Sequence, residues 1–339
     1  MSLKVGIVGA AGYAGAELIR LVLGHPEFEL VAITSNADAG QPLSAVYPSF
    51  AGVSDLAFTT HDNPELKTCD AVFLAVPHTA AMAQVPALLA AGVSCFDLSA
   101  DYRLSDSSVF EAWYAAEHTS PELLKTRAFG LPELFGQDLE TAASSYAAGK
   151  PVLVACAGCY PTATSLAAAP AVRADWVAQS GPVIVDAISG VTGAGKSCNA
   201  RTHFCSADEN LEAYGVGKHR HTPEIEQILG LVDRIVFTPH LAPLKRGLLS
   251  TVTMPLAPQV IDTLTLEDVV TYYQQFYAGR TFVRVLDAGQ QPKTASVVGT
   301  NAAQIGLALN KRAGMLVATG AIDNLCKGAA GQAVQCANI

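Results

Sequence analysis

The sequence predicts an α/β protein with a parallel sheet in its first domain and a mixed sheet in its second. In the first half, short apolar runs alternate with segments of helical length, as in parallel strands joined by helices. The first run, residues 4–8, leads into a glycine turn and then a helix. In the second half, the apolar runs are separated mainly by turns, which favours a mixed α+β sheet. We expect residues 1–157 and 318–339 to form the first domain and residues 158–317 the second.

Composition excludes several classes of protein. The chain has 339 residues, half of them hydrophobic, and a formal net charge of −9. That charge argues against nucleic acid as a partner, since phosphate backbones require clustered Lys and Arg. No apolar run approaches the ~18–20 residues of a membrane helix, and no signal-peptide pattern opens the chain. We therefore expect a soluble, cytoplasmic protein with a small-molecule substrate, whose eight cysteines are reduced thiols.

The glycine turn after the first strand matches a dinucleotide-binding fingerprint. Strand, glycine turn and helix follow in the order G-x-x-G-x-x-G, so that the backbone can approach a pyrophosphate at the helix N-terminus. This pattern predicts a Rossmann domain. The candidate cofactor-binding residues of the turn are Gly9, Ala11, Gly12, Tyr13, Ala14 and Gly15.

The second strand, residues 28–33, bears on the choice of cofactor. It ends in Thr34, Ser35 and Asn36, where an NAD-preferring site usually carries an acidic residue for the ribose 2′-OH. Small hydroxyl and amide side chains leave room for a 2′-phosphate, so we expect NADP. Asp38 is a rival ribose ligand, although its place beside a glycine is also typical of a turn.

Two further strands are predicted over residues 71–76 and 93–98. The carboxyl ends of parallel strands line the ligand crevice of such a sheet, so Ser99 and Arg103 are candidates for the rim. A loop ion pair between Asp101 and Arg103 is an equally good interpretation. Residues 136–150 are polar, small and glycine-bearing, which predicts a loop or linker.

Cys159 is the candidate nucleophile. An apolar run ending at Cys156 is followed by Gly158, and Pro161 suits the first turn of the helix predicted over residues 163–172. A thiolate, which is the nucleophilic form, is favoured at a helix N-terminus by the unpaired N–H groups and the helix dipole. Cys156, inside the apolar run, is assigned to the core.

Residues that could serve this cysteine lie further along the chain. His219 and His221 precede a predicted helix with Thr222 as its N-cap, and imidazole suits proton transfer near neutral pH. Glu224 could orient an imidazole or favour the helix N-terminus. No Cys or His pair completes a zinc site with the two histidines, so no metal is expected.

Two small-residue segments could contact a cofactor or an anion. A glycine-rich loop over residues 189–196 follows a strand and ends in Lys196, which suits anion binding. Residues 323–332 are small enough to let a helix approach another backbone or a cofactor closely. We expect Ser189, Gly190 and Asn324 to contact the cofactor.

These stretches together resemble the N-acetyl-γ-glutamyl-phosphate reductase family of the aspartate-semialdehyde dehydrogenase-like superfamily. The resemblance is carried in order by residues 9–18, 97–103, 130–133, 158–162, 189–196, 214–225 and 324–333. It implies a catalytic domain like that of glyceraldehyde-3-phosphate dehydrogenase, and NADPH-dependent reduction of N-acetyl-glutamyl 5-phosphate through a Cys159 thioester, with a proton from His219 or His221. Arg103, Lys196 and Arg220 are candidate clamps for the substrate carboxylate and phosphate. Family members often carry Pro, Arg and Arg where this chain has Ala157, Asn36 and Lys196.

Three alternatives stay open on the sequence. Aspartate-semialdehyde dehydrogenase uses the same thioester chemistry, a dinucleotide-binding sensor would use the same scaffold without catalysis, and a cysteine hydrolase would leave the glycine turn without a purpose. The apolar strands of the second domain predict a homodimer or homotetramer.

Overall fold

A computed structural model describes residues 2–339, and the chain divides into two compact units. One comprises the chain up to Ala157 together with Ala329–Ile339, and the other is Gly158–Gly328.

The first unit is built on a six-stranded parallel sheet, in the order β2-β1-β3-β4-β6-β5. Its strands are β1 Leu3–Val8, β2 Phe28–Thr34, β3 Ala71–Leu74, β4 Ser94–Asp97, β5 Ala128–Gly130 and β6 Leu153–Cys156. The helices between them are α1 Tyr13–Leu23, α2 Leu43–Val46, α3 Val85–Ala90, α4 Ser107–Tyr114 and α5 Gly136–Ala147. β3 and β4 are buried at every position, as expected for strands covered on both faces.

The linker predicted over residues 136–150 is wrong, because α5 occupies most of it. The hydroxyl groups of Thr141, Ser144 and Ser145 each donate to the carbonyl oxygen four residues back, which lets polar side chains fit a helix. Leu139 is the one fully buried residue of α5, so the sequence shows little helical periodicity there.

The second unit contains a seven-stranded mixed sheet, as predicted, in the order β11-β12-β13-β10-β7-β9-β8. Its strands are β7 Val183–Gly190, β8 Glu212–Ala213, β9 Ile235–Ala242, β10 Leu248–Pro255, β11 Val283–Val285, β12 Ala303–Asn310 and β13 Met315–Ile322. Its helices are α6 Cys159–Arg173, α7 Phe204–Ala207, α8 Thr222–Leu229 and α9 Leu266–Phe276. α6 packs closely on the sheet, since a Cβ at Gly320 of β13 would lie 2.6 Å from the Ala163 carbonyl oxygen.

The chain returns to the first unit at Ala329, later than the predicted residue 318. The reason is that β13 pairs with both β10 and β12 and is therefore an interior strand of the second sheet. The last helix, α10 Gly331–Ala337, belongs to the first unit and places Ala333, Val334 and Cys336 in its hydrophobic core.

Candidate active site

Cys159 is the first residue of α6, three residues after β6 ends. Gly158 caps the helix with extended backbone angles, and its N–H donates to Oε1 of Glu224 at 2.8 Å. Glu224 is 1% exposed, in the first turn of α8. One buried carboxylate therefore fixes the turn that presents the Cys159 thiol, which is partly exposed.

Gly328 determines how closely the chain can pass beneath Cys159. A Cβ added at Gly328 would lie 2.6 Å from the Cβ and 3.1 Å from the Cα of Cys159. The distance of 2.6 Å is shorter than non-bonded carbon atoms adopt, so glycine is required by space. The close approach predicted for the small residues 323–332 is thus found at the nucleophile itself.

His219 is enclosed by aromatic side chains. Its ring centroid lies 5.6 Å from that of Tyr160, 5.3 Å from Tyr214 and 5.2 Å from Phe237, each in an edge-to-face arrangement. Burial and, to a lesser degree, the neighbouring Arg220 guanidinium lower the pKa of His219 to about 4. His219 is therefore neutral at physiological pH, beside the residue that follows the nucleophile.

The backbone selects the tautomer of His219. The N–H of His221 donates to Nδ1 of His219 at 3.2 Å, so neutral His219 carries its proton on Nε2. The two imidazole centroids are 5.0 Å apart. α8 begins at Thr222 with His221 as its N-cap, one position earlier than the predicted Thr222 cap.

A hydrogen-bonded pair formed by the buried Tyr160 and the half-buried Tyr214 was not predicted from the sequence. The Tyr214 hydroxyl donates to the Tyr160 hydroxyl at 3.2 Å, and Tyr160 donates to the carbonyl oxygen of His240 at 3.1 Å. Burial raises the pKa of both hydroxyls, so both stay protonated. These two hydrogen bonds hold the tyrosine rings that pack around His219, and the sequence signal for the pair is the adjacency of Tyr160 to Cys159.

The glycine-rich loop and Asn324 lie together in the second unit. The Asn324 amide donates to Oγ1 of Thr192 at 3.0 Å and accepts the N–H of Gly247 at 2.8 Å. Ser189 is buried, and a Cβ at Gly190 would lie 2.6 Å from the Leu244 carbonyl oxygen. The predicted Ser189, Gly190 and Asn324 therefore meet in one loop cluster.

The three cations predicted for the substrate have different surroundings. Lys196 and Arg220 are exposed in the second unit. Arg103, in the first unit, is 5% exposed and donates to the carbonyl oxygens of Cys156 at 2.8 Å and Leu98 at 2.6 Å. These bonds hold the loop after β4 to β6, and a role for Arg103 in binding substrate stays a prediction.

Arg246 is a further cation that the sequence analysis missed. Its guanidinium lies 3.0 Å from Oδ2 of Asp323, a carboxylate with no exposed surface. Asp323 also accepts the N–H groups of Gly299, Leu325 and Cys326, which fixes the segment leading to Gly328. Arg246 keeps 24% of its side chain exposed, which leaves its outer face accessible.

The glycine turn of the first unit has the shape of a phosphate cradle. A Cβ at Gly9, whose φ is +78°, would lie 2.4 Å from the Ala75 carbonyl oxygen, and one at Gly15 would lie 2.5 Å from the Gly9 carbonyl oxygen. The fold alone therefore requires Gly9 and Gly15. Gly12 differs, because its nearest neighbour would be at an ordinary 3.5 Å, and it caps α1 with extended angles. The space above Gly12 at the start of a helix fits a bound pyrophosphate.

Ala11, Tyr13 and Ala14 complete this turn. The Tyr47 hydroxyl donates to the Ala11 carbonyl oxygen at 2.7 Å and so fixes the turn from outside. Tyr13 is 36% exposed at the first residue of α1, beside the cradle.

The end of β2 carries the three small polar residues expected to face a ribose. Thr34 Oγ1 lies 2.7 Å from Nδ1 of His61, and Oδ1 of Asn36 accepts the His61 N–H at 2.9 Å. The Ser35 hydroxyl donates to Oδ2 of Asp38 at 2.6 Å. Asp38 is thus held in the turn after β2 by Ser35.

Ser99, at the carboxyl end of β4, is 1% exposed and sits between two buried carboxylates. Its hydroxyl donates to Oδ2 of Asp97 at 2.9 Å and accepts the N–H of Asp101 at 3.1 Å. Burial, and then the Asp101 carboxylate, raises the pKa of Asp97 to about 7.

Other features of the described chain bear on what the site could hold. Within residues 2–339 no group of three or more His, Cys, Asp and Glu side chains is placed to hold a metal ion. Across the same range, no helix is both long and apolar enough to cross a membrane. An apolar cavity of about 290 Å³ in the first unit lies near the amino-terminal starts of β1 to β4, so it is not the dinucleotide crevice.

Comparison with known proteins places the chain. The family model described as "Semialdehyde dehydrogenase, NAD binding domain" matches residues 4–142, and the one described as "Semialdehyde dehydrogenase, dimerisation domain" matches residues 159–324. The N-acetyl-gamma-glutamyl-phosphate reductase of Symbiobacterium thermophilum is 45% identical over 100% of this chain and 95% of its own length. That of Desulforamulus reducens is 43% identical over 99% of this chain and 95% of its own length.

The chain belongs to the N-acetyl-γ-glutamyl-phosphate reductase family. The resemblance inferred from the sequence motifs is thereby confirmed. Solved structures show the wider fold. The chain matches aspartate semialdehyde dehydrogenase II of Vibrio cholerae, complexed with ASA, with a TM-score of 0.72 at 14% identity, over 100% of this chain and 98% of that one. The aspartate semialdehyde dehydrogenase of Candida albicans, with NADP, matches with a TM-score of 0.72 at 15% identity, over 99% and 98%. At such identity these structures show a shared fold alone.

Proposed function

We propose that this chain reduces N-acetyl-L-glutamyl 5-phosphate to N-acetyl-L-glutamate 5-semialdehyde with NADPH, releasing phosphate in arginine biosynthesis. The observation that carries the proposal is the Cys159 turn, in which Glu224 fixes the helix start that presents the thiol. Full-length relatives bearing this reductase name support the choice of substrate. Aspartate semialdehyde is the alternative, and it has support only from distant relatives of the fold.

The protein's own residues supply the covalent step. The Cys159 sulfur attacks the acyl carbon, the carbon–oxygen bond to phosphate breaks, and a thioester to Cys159 remains. The thiol proton leaves with the departing phosphate, and neutral His219, which carries its proton on Nε2, is a hydrogen-bond donor to the reacting oxygens. First-turn N–H groups of α6 point out of the helix N-terminus and stabilise negative charge on the acyl oxygen, a contribution of roughly 3–4 kcal/mol per donor in comparable sites.

The first unit would hold the cofactor. NADPH, when bound, supplies the hydride that converts the acyl group to an aldehyde. Its pyrophosphate would lie over Gly12 and the start of α1, and its 2′-phosphate would face Thr34, Ser35 and Asn36. NADP is favoured over NAD because none of these three side chains is a carboxylate, and the nearby Asp38 carboxylate is already bonded to the Ser35 hydroxyl.

Cations near the second-unit loops would orient the substrate. Lys196 and Arg220 are exposed and would pair with its carboxylate and phosphate, and the accessible face of Arg246 would be a bidentate partner. Both predicted histidines stay candidates for the proton transfer, with His219 the first choice because Tyr160, Tyr214 and Phe237 all pack around its ring.

The second unit is also the proposed site of self-association. It matches a dimerisation-domain model, and Ile184 of β7 and Val236 of β9 are 39% and 50% exposed on neighbouring strands of its sheet. Sheet faces of this kind bury apolar area against a second copy, giving a homodimer or homotetramer. A cytoplasmic location stays a prediction.

The reaction can be tested in reverse. Purified protein is mixed with phosphate, NADP and either N-acetyl-glutamate semialdehyde or aspartate semialdehyde, and the formation of NADPH is followed by absorbance. We expect turnover of the acetylated semialdehyde only, and none by Cys159→Ser. Turnover restricted to aspartate semialdehyde would replace the substrate, and full activity of Cys159→Ser would refute the mechanism. Cys156→Ser serves as the control because that thiol is 1% exposed.

A further inference from the structure

A strained turn follows β3 at the carboxyl end of the parallel sheet. We call residues 77–82 the β3 exit loop. Within it Thr79 has a φ of +75°, in the left-handed region, and it is the one β-branched residue with positive φ among residues 2–339. A β-branched residue there is a true outlier that costs energy and persists only where its surroundings hold it.

Asp101 is what holds this loop. Its Oδ1 accepts the N–H of Thr79 at 2.6 Å, and its Oδ2 accepts the N–H groups of Ala81 at 2.9 Å and Met82 at 3.2 Å. Asp101 has no exposed surface. One buried carboxylate therefore binds three backbone donors of the β3 exit loop and fixes its conformation.

Asp101 is itself fixed by the segment after β4. The Ser99 hydroxyl accepts its N–H, Nε2 of His118 donates to its carbonyl oxygen at 2.8 Å, and the Ala100 N–H donates to Nδ1 of His78 at 3.1 Å. The exits of β3 and β4, which are neighbours in the sheet, are thus joined into one rigid platform.

The position of the platform indicates what it contacts. In sheets of this kind a dinucleotide lies across the crevice where strand order reverses, outside the carboxyl ends of the strands. In the proposed function the adenosine half binds at the end of β2, and the pyrophosphate binds at the turn that contains Gly12. The β3 exit lies on the other side of β1, with Ala75 in close contact with Gly9, and residues 77–79 are exposed. The remaining half of the ligand, the nicotinamide ribose, falls there.

We infer that Asp101 is a positioning residue for the nicotinamide half of the dinucleotide, acting through the strained Thr79 turn. The inference rests on the proposed function in one respect, that the first unit takes a nicotinamide dinucleotide. Asp101 need not touch the ligand, since it shapes the backbone against which the ligand rests.

The test compares two ligands by calorimetric titration. NADP contains both halves, whereas adenosine 2′,5′-bisphosphate contains only the adenosine half. Asp101→Asn puts a donor against at least one backbone N–H, whichever way the new amide turns. We expect it to weaken NADP binding about tenfold and to leave binding of the bisphosphate unchanged. Asp55→Asn, at an exposed position, is the matched control and should bind both ligands like the unaltered protein.

A second change tests the role of strain. Glycine adopts positive φ freely, so adding Thr79→Gly to Asp101→Asn should restore most of the NADP affinity. If Asp101 only stabilised the fold, a change at the exposed Thr79 would not restore the NADP affinity. If Asp101→Asn does not fold, Thr79→Pro replaces it, because proline fixes φ near −65° and removes the N–H that Asp101 binds. It should weaken NADP binding and spare the bisphosphate.

Three results would overturn the inference: equal weakening of both ligands, unchanged NADP affinity in Asp101→Asn, or a double variant as weak as Asp101→Asn alone. An unaltered protein that binds neither ligand would overturn the proposed function as well, so the two failures are distinguishable.

Discussion

Gly328→Ala should disable the nucleophile while leaving most of the protein folded. The added Cβ would lie 2.6 Å from the Cβ of Cys159 and 3.3 Å from Cδ1 of Ile322. Carbon atoms in contact are separated by roughly 3.5–4.0 Å, so one of the two backbones must move by about 1 Å. Cys159 sits at a helix end and is the easier one to displace.

A displacement of about 1 Å at a reacting atom costs on the order of 100-fold in rate, or about 2.7 kcal/mol of activation free energy. Overpacking of this kind also lowers stability, by about 1–3 kcal/mol. We therefore expect kcat of the reverse reaction to fall about 100-fold, with a smaller effect on KM because the added methyl lies beneath the thiol. Labelling of Cys159 by iodoacetamide, mapped by mass spectrometry, should slow as well.

The control is Gly24→Ala. Gly24 ends α1 with a φ of −93°, and its Cβ would meet the Arg20 carbonyl oxygen at an ordinary 3.6 Å. It changes the same atoms without overlap. If Gly328→Ala retained the kcat of Gly24→Ala and labelled at the same rate, the close packing beneath Cys159 would have no catalytic consequence, and the reasoning would fail.

Three further changes test other parts of the site. Glu224→Ala leaves the buried Gly158 N–H without its acceptor, so the free energy of unfolding measured in urea should fall by about 1–3 kcal/mol. Glu224→Gln keeps an acceptor and should keep most of that stability. Equal losses in the two variants would contradict the role of the hydrogen bond. Gly12→Ala should leave the free energy of unfolding unchanged but weaken NADP binding about tenfold, as measured by calorimetry. Gly15→Ala should in addition destabilise the fold by about 1–3 kcal/mol. Normal NADP binding by Gly12→Ala would refute a pyrophosphate site at this turn. The imidazole of His219 takes up a proton near pH 6.5 in the unfolded chain but only near pH 4 in the folded protein. The free energy of unfolding therefore decreases as the pH falls. From pH 7 to pH 5 the unaltered protein should lose about 2 kcal/mol more than His219→Gln; parallel urea-unfolding curves would refute this.

The parts predicted from sequence share one property, that local residues determine them. The glycine turn after β1 and the Gly158–Cys159 helix start are set by neighbours within a few positions, and both were predicted where they lie. Cys156 was assigned to the core for the same local reason, and it is 1% exposed.

The parts that were missed depend on contacts distant in sequence. α5 buries only Leu139 and is stabilised by packing on the sheet, so its own periodicity is weak. The predicted domain boundary at residue 318 falls inside β13 because the pairing of that strand with β10 and β12 cannot be read from its residues. Tyr214 and Tyr160 are 54 residues apart in the sequence, and no pattern in either segment predicts the hydrogen bond between them. The hydrogen bond between Glu224 and Gly158 spans 66 residues. From the sequence, Glu224 was predicted only to orient an imidazole or to favour a helix N-terminus.

The placement of α10 affects how the protein can be made. The core of the first unit includes Ala333, Val334 and Cys336, which are translated last. A ribosome that has released residues 1–157 has delivered every strand of the parallel sheet but not the helix that completes its apolar interior. The first unit therefore lacks part of its hydrophobic core until the whole second unit has been synthesised. A chain terminated prematurely before residue 329 would display that uncovered interior to chaperones and proteases.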